Sequence, residues 1–218
     1  METFNSLPLL TAPEIRVLGA LMEKSKTTPD YYPMTLNALV AACNQKTSRS
    51  PVVEYDEATV VEALDGLKGR SLVATAIGGG SRVTKYKHNF GTVYPVSDAA
   101  LAIMCLLFLR GPQTPGELNT NSGRLYEFSS LDSVSGVLNE LSSEEPAFVK
   151  ELSKRPGQKE ARFVHLFGDV PEHSVAEVIQ PSGFSHKAAL EERVSYLERE
   201  LAALKEALKD LLPPKDEL

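Results

Sequence analysis

The chain is poor in the residues that most often announce a chemistry. It has two cysteines, Cys43 and Cys105, and both fall in apolar patterns of helical spacing. They read as buried reduced thiols rather than as a disulfide or a metal pair. The four histidines, His88, His165, His173 and His186, show no HxxxH or Cys/His spacing, so no metal and no cofactor is expected. His165 alternates with Phe163 and Phe167 and reads as a structural residue near a strand end. There is no Gly-x-Ser-x-Gly, no P-loop and no Gly-x-Gly-x-x-Gly. Gly78-Gly79-Gly80 lies between two strand patterns, which makes it a hairpin turn and excludes it as the start of a phosphate-binding helix. These absences argue against an enzyme. Long apolar runs are missing too: the longest, Ala99–Leu109, has 11 residues, which suits a buried helix and is too short to span a bilayer. Met1–Arg16 lacks a basic stretch followed by an apolar core. The closing Lys215-Asp216-Glu217-Leu218, formally an ER-retention address, therefore has no entry signal to act on. The expected location is cytoplasmic, without a membrane partner.

A global positive charge is also lacking. Lys and Arg total 23 against 29 Asp and Glu, for a net charge of −6. The balance is uneven along the chain. Residues 1–94 carry 10 basic and 9 acidic groups (+1), residues 95–170 carry 7 and 10 (−3), and residues 171–218 carry 6 and 10 (−4). Residues 1–94 are the best placed to meet a polyanion. With 218 residues and 42% hydrophobic composition, the chain can build one large or two small domains plus an appendage.

What is present is a pattern of caps and stripes. Thr11-Ala12-Pro13-Glu14 spells a capping box, and Ile15, Leu18 and Met22 follow at helical spacing. A second short helix is expected from about Thr35, with Leu36, Leu39, Val40 and Cys43 inward. The polar segment Asn44–Pro51 follows, without acids. Asp56 should cap a third helix, Asp56–Arg70, with Val60, Ala63, Leu64 and Leu67 inward. Strands at Leu72–Ile77 and Val83–Lys87 around the Gly78–Arg82 turn complete a helix-helix-helix-hairpin order, that of a winged helix-turn-helix. The link between the second and third helices is longer than is usual for that motif.

The chain then repeats itself. Ser97 aligns with Thr11 as a cap, and Thr114-Pro115 with Thr28-Pro29. Helices are expected at Asp98–Arg110, from Pro115 to about Ser122, and at Leu131–Ser142 with Ser129 and Asp132 as a capping pair. Strands at Phe148–Leu152 and Ala161–Phe167 flank a turn containing Pro156-Gly157. Helix Ala99–Leu109 is apolar all round, so it should pack between the two modules or against another subunit. Gly168–Ser185, with Pro171, Pro181 and Gly183, reads as a linker. Beyond it Leu190, Val194, Leu197, Leu201, Leu204, Leu208 and Leu211 step by four and three, a heptad seam. Arg193 facing Glu198 and Glu200 facing Lys205 would suit a parallel homodimer. The alternative is an amphipathic helix folded back on the domains. The fold class expected is α+β, mostly helical: winged-helix domains at 1–94 and 95–168, a linker at 169–185, and a coiled-coil helix at 186–212.

Several runs resemble one family: Thr28-Pro29-Asp30-Tyr31-Tyr32-Pro33, Ala42-Cys43-Asn44-Gln45-Lys46, Ser81-Arg82-Val83-Thr84-Lys85-Tyr86, Leu109–Leu118 and Arg124-Leu125-Tyr126-Glu127-Phe128. These are similar to the YceH family, a bacterial group of unknown function, over residues 9–167 and the heptad tail. The resemblance implies a tandem winged-helix fold in a bacterial cytoplasmic protein. It supplies no reaction, ligand or site.

A winged helix raises the expectation of double-stranded DNA as partner, with the third helix in the major groove. That helix exposes Glu57, Glu62 and Asp65, with Lys68 and Arg70 only at its end, and carboxylates repel phosphates. The third helix of the second module exposes Asp132 and Glu140. The basic groups sit elsewhere: Lys46 and Arg49 beside the Thr47 and Ser48 hydroxyls, and Arg82, Lys85 and Lys87 in the wing. These seven residues are the candidate phosphate contacts, with Arg82 long enough to enter a minor groove. The same lysines would equally block edge-to-edge strand pairing. Two readings follow: a homodimeric DNA-binding regulator that contacts the backbone through the first wing, or a protein–protein adaptor of the same fold with no DNA binding.

Overall fold

Six helices begin on a side chain that accepts a free backbone N–H, and these caps lay out the molecule. In the computed structural model, which describes residues 6–76, 83–154, 158 and 160–169, α1 (Ala12–Thr27) starts on Thr11, α2 (Leu36–Cys43) on Thr35 and α3 (Glu57–Gly69) on Asp56. After the short α4 (Phe90–Val93), α5 (Asp98–Arg110) starts on Ser97, α6 (Pro115–Ser122) on Thr114 and α7 (Leu131–Ser143) on Ser130. The Thr11 box closes as the sequence pattern predicts: Glu14 N donates to Thr11 Oγ1 at 3.4 Å and Thr11 N to Glu14 Oε2 at 2.8 Å.

The strands are short. In the first half β1 (Met34–Thr35), β2 (Val73–Ala76) and β3 (Lys85–His88) form an antiparallel sheet with β3 in the centre. In the second half β4 (Val149–Glu151) pairs with β5 (Phe163–His165). The class is α+β, with helices and small antiparallel sheets; in each half three helices precede an antiparallel strand pair, and β1 has no counterpart strand among the described residues of the second half.

Two caps differ from the sequence expectation, for local reasons. Thr114 takes the place that Thr35 holds in the first half, not that of Thr28. Glu117 stands three residues after Thr114 and closes a capping box. Thr28 is the C-cap of α1 and precedes the 3-10 turn Pro29–Tyr31, where its side chain makes no capping bond. Helix α7 is capped by Ser130 with Ser133, not by Ser129 with Asp132. The heptad positions Leu190–Leu211 and the Gly78–Arg82 turn lie outside the described residues.

The described residues belong to one compact unit, Met1–Val170, centred on α1 and α5. Val17 through Met22 of α1 are all buried, because α2, α3 and β3 cover one side and α5 the other. Gly19 permits the close approach: a Cβ there would sit 3.0 Å from Leu109 Cγ and Cδ2 and from Phe108 Cβ. Every residue of α5 from Ala99 to Leu109 is buried, with α1 on one side and α6, α7 and β5 on others. That accounts for a helix with no polar face. Phe90, Tyr94, Phe108, Phe148 and Phe167 continue the core as neighbouring rings with centroids 5.2–5.9 Å apart. Among the described residues no helix is long and apolar enough to cross a membrane.

Candidate functional site

The candidate contacts of the first half divide into a strand and a loop. Strand β3 has alternating environments: Tyr86 packs against the core, while Lys87 is exposed and Lys85 partly so. Their cross-strand neighbours on β2 are small, Ala74 opposite Lys87 and Ala76 opposite Lys85. On the other side Thr35 of β1 stands opposite Lys85, so the two lysines share one face with only short, uncharged side chains beside them. Neither lysine pairs with a carboxylate among the described residues. Arg82 lies outside the described residues.

The loop is less available than its composition suggests. Lys46, Thr47 and Ser48 are exposed, but Arg49 is not. Its side chain is 0% exposed and grips Glu23 with two charged hydrogen bonds, Nη2 to Oε2 at 2.7 Å and Nη1 to Oε1 at 3.0 Å. Its remaining donors go to Ala42 O, Ser48 O and Gln45 Oε1. A guanidinium has five N–H groups, and all are spent inside the protein. The expectation that Arg49 contacts phosphate is corrected accordingly. It is the pin that holds the loop.

Other residues hold the same loop. Arg16, buried on α1, donates to Cys43 O at 3.1 Å and Pro51 O at 2.6 Å. The Asn44 amide pairs with the backbone of Tyr55 in both directions, at 2.7 and 2.8 Å. Ser50 N donates to Leu109 O at 2.9 Å. Ser48 adopts φ 59°, a left-handed conformation rare outside glycine, at the exposed apex. The segment is thus a stiff platform that presents Lys46, Thr47 and Ser48 outward.

Helix α3 keeps its acidic face. Glu57, Glu62 and Asp65 are exposed, and Lys68 is held at 2.7 Å by Asp65. Arg70 turns back to the Glu14 cap at 2.7 Å. Nothing cationic on this helix is left to offset the carboxylates.

The two described histidines are structural. His165 packs edge-on against Phe108 at 5.0 Å, and burial pushes its pKa down to about 4. His88 is also brought down to about 4, by burial first and then by Lys26, and its Nε2 lies 3.1 Å from Ser25 Oγ. Cys43 and Cys105 are buried and free. Among the described residues there is no cluster of His, Cys, Asp and Glu suited to a metal.

Sequence reasoning missed a polar cleft of about 130 Å³ where the end of α1, the 44–48 loop and α5–α6 come together. Lys24, Arg110 and Arg124 line it, with the Thr47 and Ser48 hydroxyls and the Asn121 amide. Arg110 Nη2 donates to Ser48 Oγ at 3.0 Å, and burial lowers the Arg110 pKa. The only available signal was that Arg110, Arg124 and Gln45 stand in three of the family-like runs, far apart in the chain.

A family model described as "Protein of unknown function, DUF480" matches residues 10–158. A UPF0502 protein of Shewanella halifaxensis is 45% identical over 211 residues, covering 93% of this chain and 98% of its own. One from Chromobacterium violaceum is 46% identical over 202 residues, covering 91% and 92%. One from Opitutus terrae is 48% identical over 172 residues, covering 78% and 75%.

Proposed function

We propose that this chain, which belongs to the DUF480 family, is a tandem winged-helix DNA-binding regulator that holds the phosphate backbone through its first module. The order of three helices and a strand pair in each half, with aligned caps Thr11/Ser97, Thr35/Thr114 and Asp56/Ser130, supports the winged-helix reading. The observation that carries the DNA reading is the pair Lys85 and Lys87 on one face of β3, with the short side chains Ala74 and Ala76 of β2 and Thr35 of β1 as their cross-strand neighbours. Lys46, Thr47 and Ser48 on the pinned loop add a charge and two hydroxyls. Arg82 in the turn belongs to the same proposal. Base reading by α3 is not part of it, because Glu57, Glu62 and Asp65 would face phosphates.

Self-association through Leu190, Val194, Leu197, Leu201, Leu204, Leu208 and Leu211 would present two such modules to one duplex. Sedimentation of a chain ending at Gln180 tests this: a truncated protein that remains dimeric removes the heptads from the proposal.

The adaptor reading has one observation in its favour. The exposed surface of α3 combines its carboxylates with Val61, which is 37% exposed, a composition better suited to a protein than to a polyanion. Fluorescence anisotropy with a random-sequence duplex decides between the two. The regulator gives saturable binding that weakens as salt rises. No binding at low salt sinks the DNA reading and leaves the adaptor.

A further inference from the structure

The cleft between α1, the 44–48 loop and α5–α6 has an unbalanced chemistry. Its cations are Lys24, Arg110 and Arg124, and Glu23 is its sole lining carboxylate. Glu23 is already gripped by Arg49 through both oxygens and by Lys24 at 3.1 Å. No free carboxylate therefore answers the two arginines. Arg110 Nε is buried and has no hydrogen-bond partner, which is costly for a charged group out of water. Arg124 is exposed at the rim and makes no hydrogen bond or ion pair among the described residues. Only Leu106, Leu109 and Leu125 contribute apolar side chains. A dry, unfilled void is typically apolar, whereas this one offers donors on several sides.

Size narrows the ligand. The volume, about 130 Å³, is near the ~150 Å³ of a cavity that takes up one benzene. It fits an oxyanion with a small organic body.

We propose that this cleft binds a small oxyanion of the phosphate class, held between Arg110 and Arg124 with the Thr47 and Ser48 hydroxyls as further donors. Planar guanidinium forks match the geometry of phosphate oxygens, and both arginines have donors to spare. The lining residues come from both halves of the repeat, so occupancy ties the two halves together at one point. The inference does not depend on DNA binding.

The test is isothermal titration calorimetry of the full chain with inorganic phosphate and, separately, with glycerol 3-phosphate, in chloride buffer of matched ionic strength. The expected result is saturable 1:1 binding that weakens roughly 10- to 100-fold in Arg124→Gln, the loss of one charge-assisted contact. Arg124 has no partner to lose, so this variant keeps the fold; Arg110→Lys, which keeps the charge and removes the fork, weakens binding as well. Tighter binding of glycerol 3-phosphate assigns the site to a phosphate ester, and equal binding assigns it to the free oxyanion. The proposal is overturned if neither ligand saturates, or if Arg124→Gln binds as the parent does. It is also overturned if Arg124→Gln loses duplex affinity in the same proportion, since the cleft then belongs to a DNA surface. A Lys85→Gln/Lys87→Gln chain that loses duplex binding and keeps phosphate binding separates the two sites.

Discussion

Removing the Glu23 carboxylate should be among the most damaging single changes outside the apolar core. Glu23 is 13% exposed at its side chain and Arg49 is 0% exposed. Glu23→Ala therefore strands a buried guanidinium with only neutral acceptors, at Ala42 O, Ser48 O and Gln45 Oε1. Breaking a buried pair in this way costs about 3–5 kcal/mol. For a chain of this size 1 kcal/mol moves Tm by about 2–4 °C, so the melting point should fall by roughly 6–20 °C. Thermal and urea unfolding at pH 7 read both quantities. The double variant Glu23→Leu/Arg49→Met should lose less than the sum of its singles, because no charge is left unpaired. A Glu23→Ala chain within about 0.5 kcal/mol of the parent would refute the reasoning. It would mean that Arg49 reaches solvent, and would return it to the candidate phosphate contacts.

Three further changes have defined outcomes. Burial opposes ionisation of Glu23, but its hydrogen bonds to Arg49 and the Arg49 and Lys24 charges outweigh it, so the net pKa is lowered. That stability is full above the unfolded value near 4.5 and is lost as pH falls through the folded one; an acid melt of the Glu23→Leu/Arg49→Met chain should lack this component. His165 has a folded pKa of about 4 against 6.5 unfolded, so neutral His165 loses about 3 kcal/mol of stability between pH 6.5 and 4; urea midpoints of His165→Phe should be flatter over that window. Phe167→Ala removes a fully buried ring that meets Phe90, Tyr94, Phe108 and Phe148, and chemical denaturation should show a loss of about 3–5 kcal/mol.

Much of the fold was legible because its signals are local. Thr11, Asp56 and Ser97 cap helices within three residues of themselves, and Val60, Ala63, Leu64 and Leu67 repeat at a period the chain states openly. Arg49 was misread for the opposite reason. Its neighbours from Asn44 to Pro51 are polar and lack acids, which reads as a solvent-facing basic patch. The acid that neutralises it stands 26 residues earlier on α1, and no local pattern reports that pairing. Thr114 and Thr28 share a Thr-Pro dipeptide but differ in place: Thr114 opens α6, whereas Thr28 closes α1, and only the helix boundaries distinguish them. The cleft draws its lining from Glu23 to Leu125, and only the packing of α1 on α5 brings those residues together.

Whether the β3 face holds the DNA backbone is read most directly from the salt dependence of duplex binding. The slope of log affinity against log salt counts the phosphates neutralised, at about 0.9 per contact. The Lys85→Gln/Lys87→Gln chain should show a slope shallower by roughly 2, with thermal stability unchanged. A parent chain that binds duplex with the same slope as this variant, or that binds none at all, would contradict it.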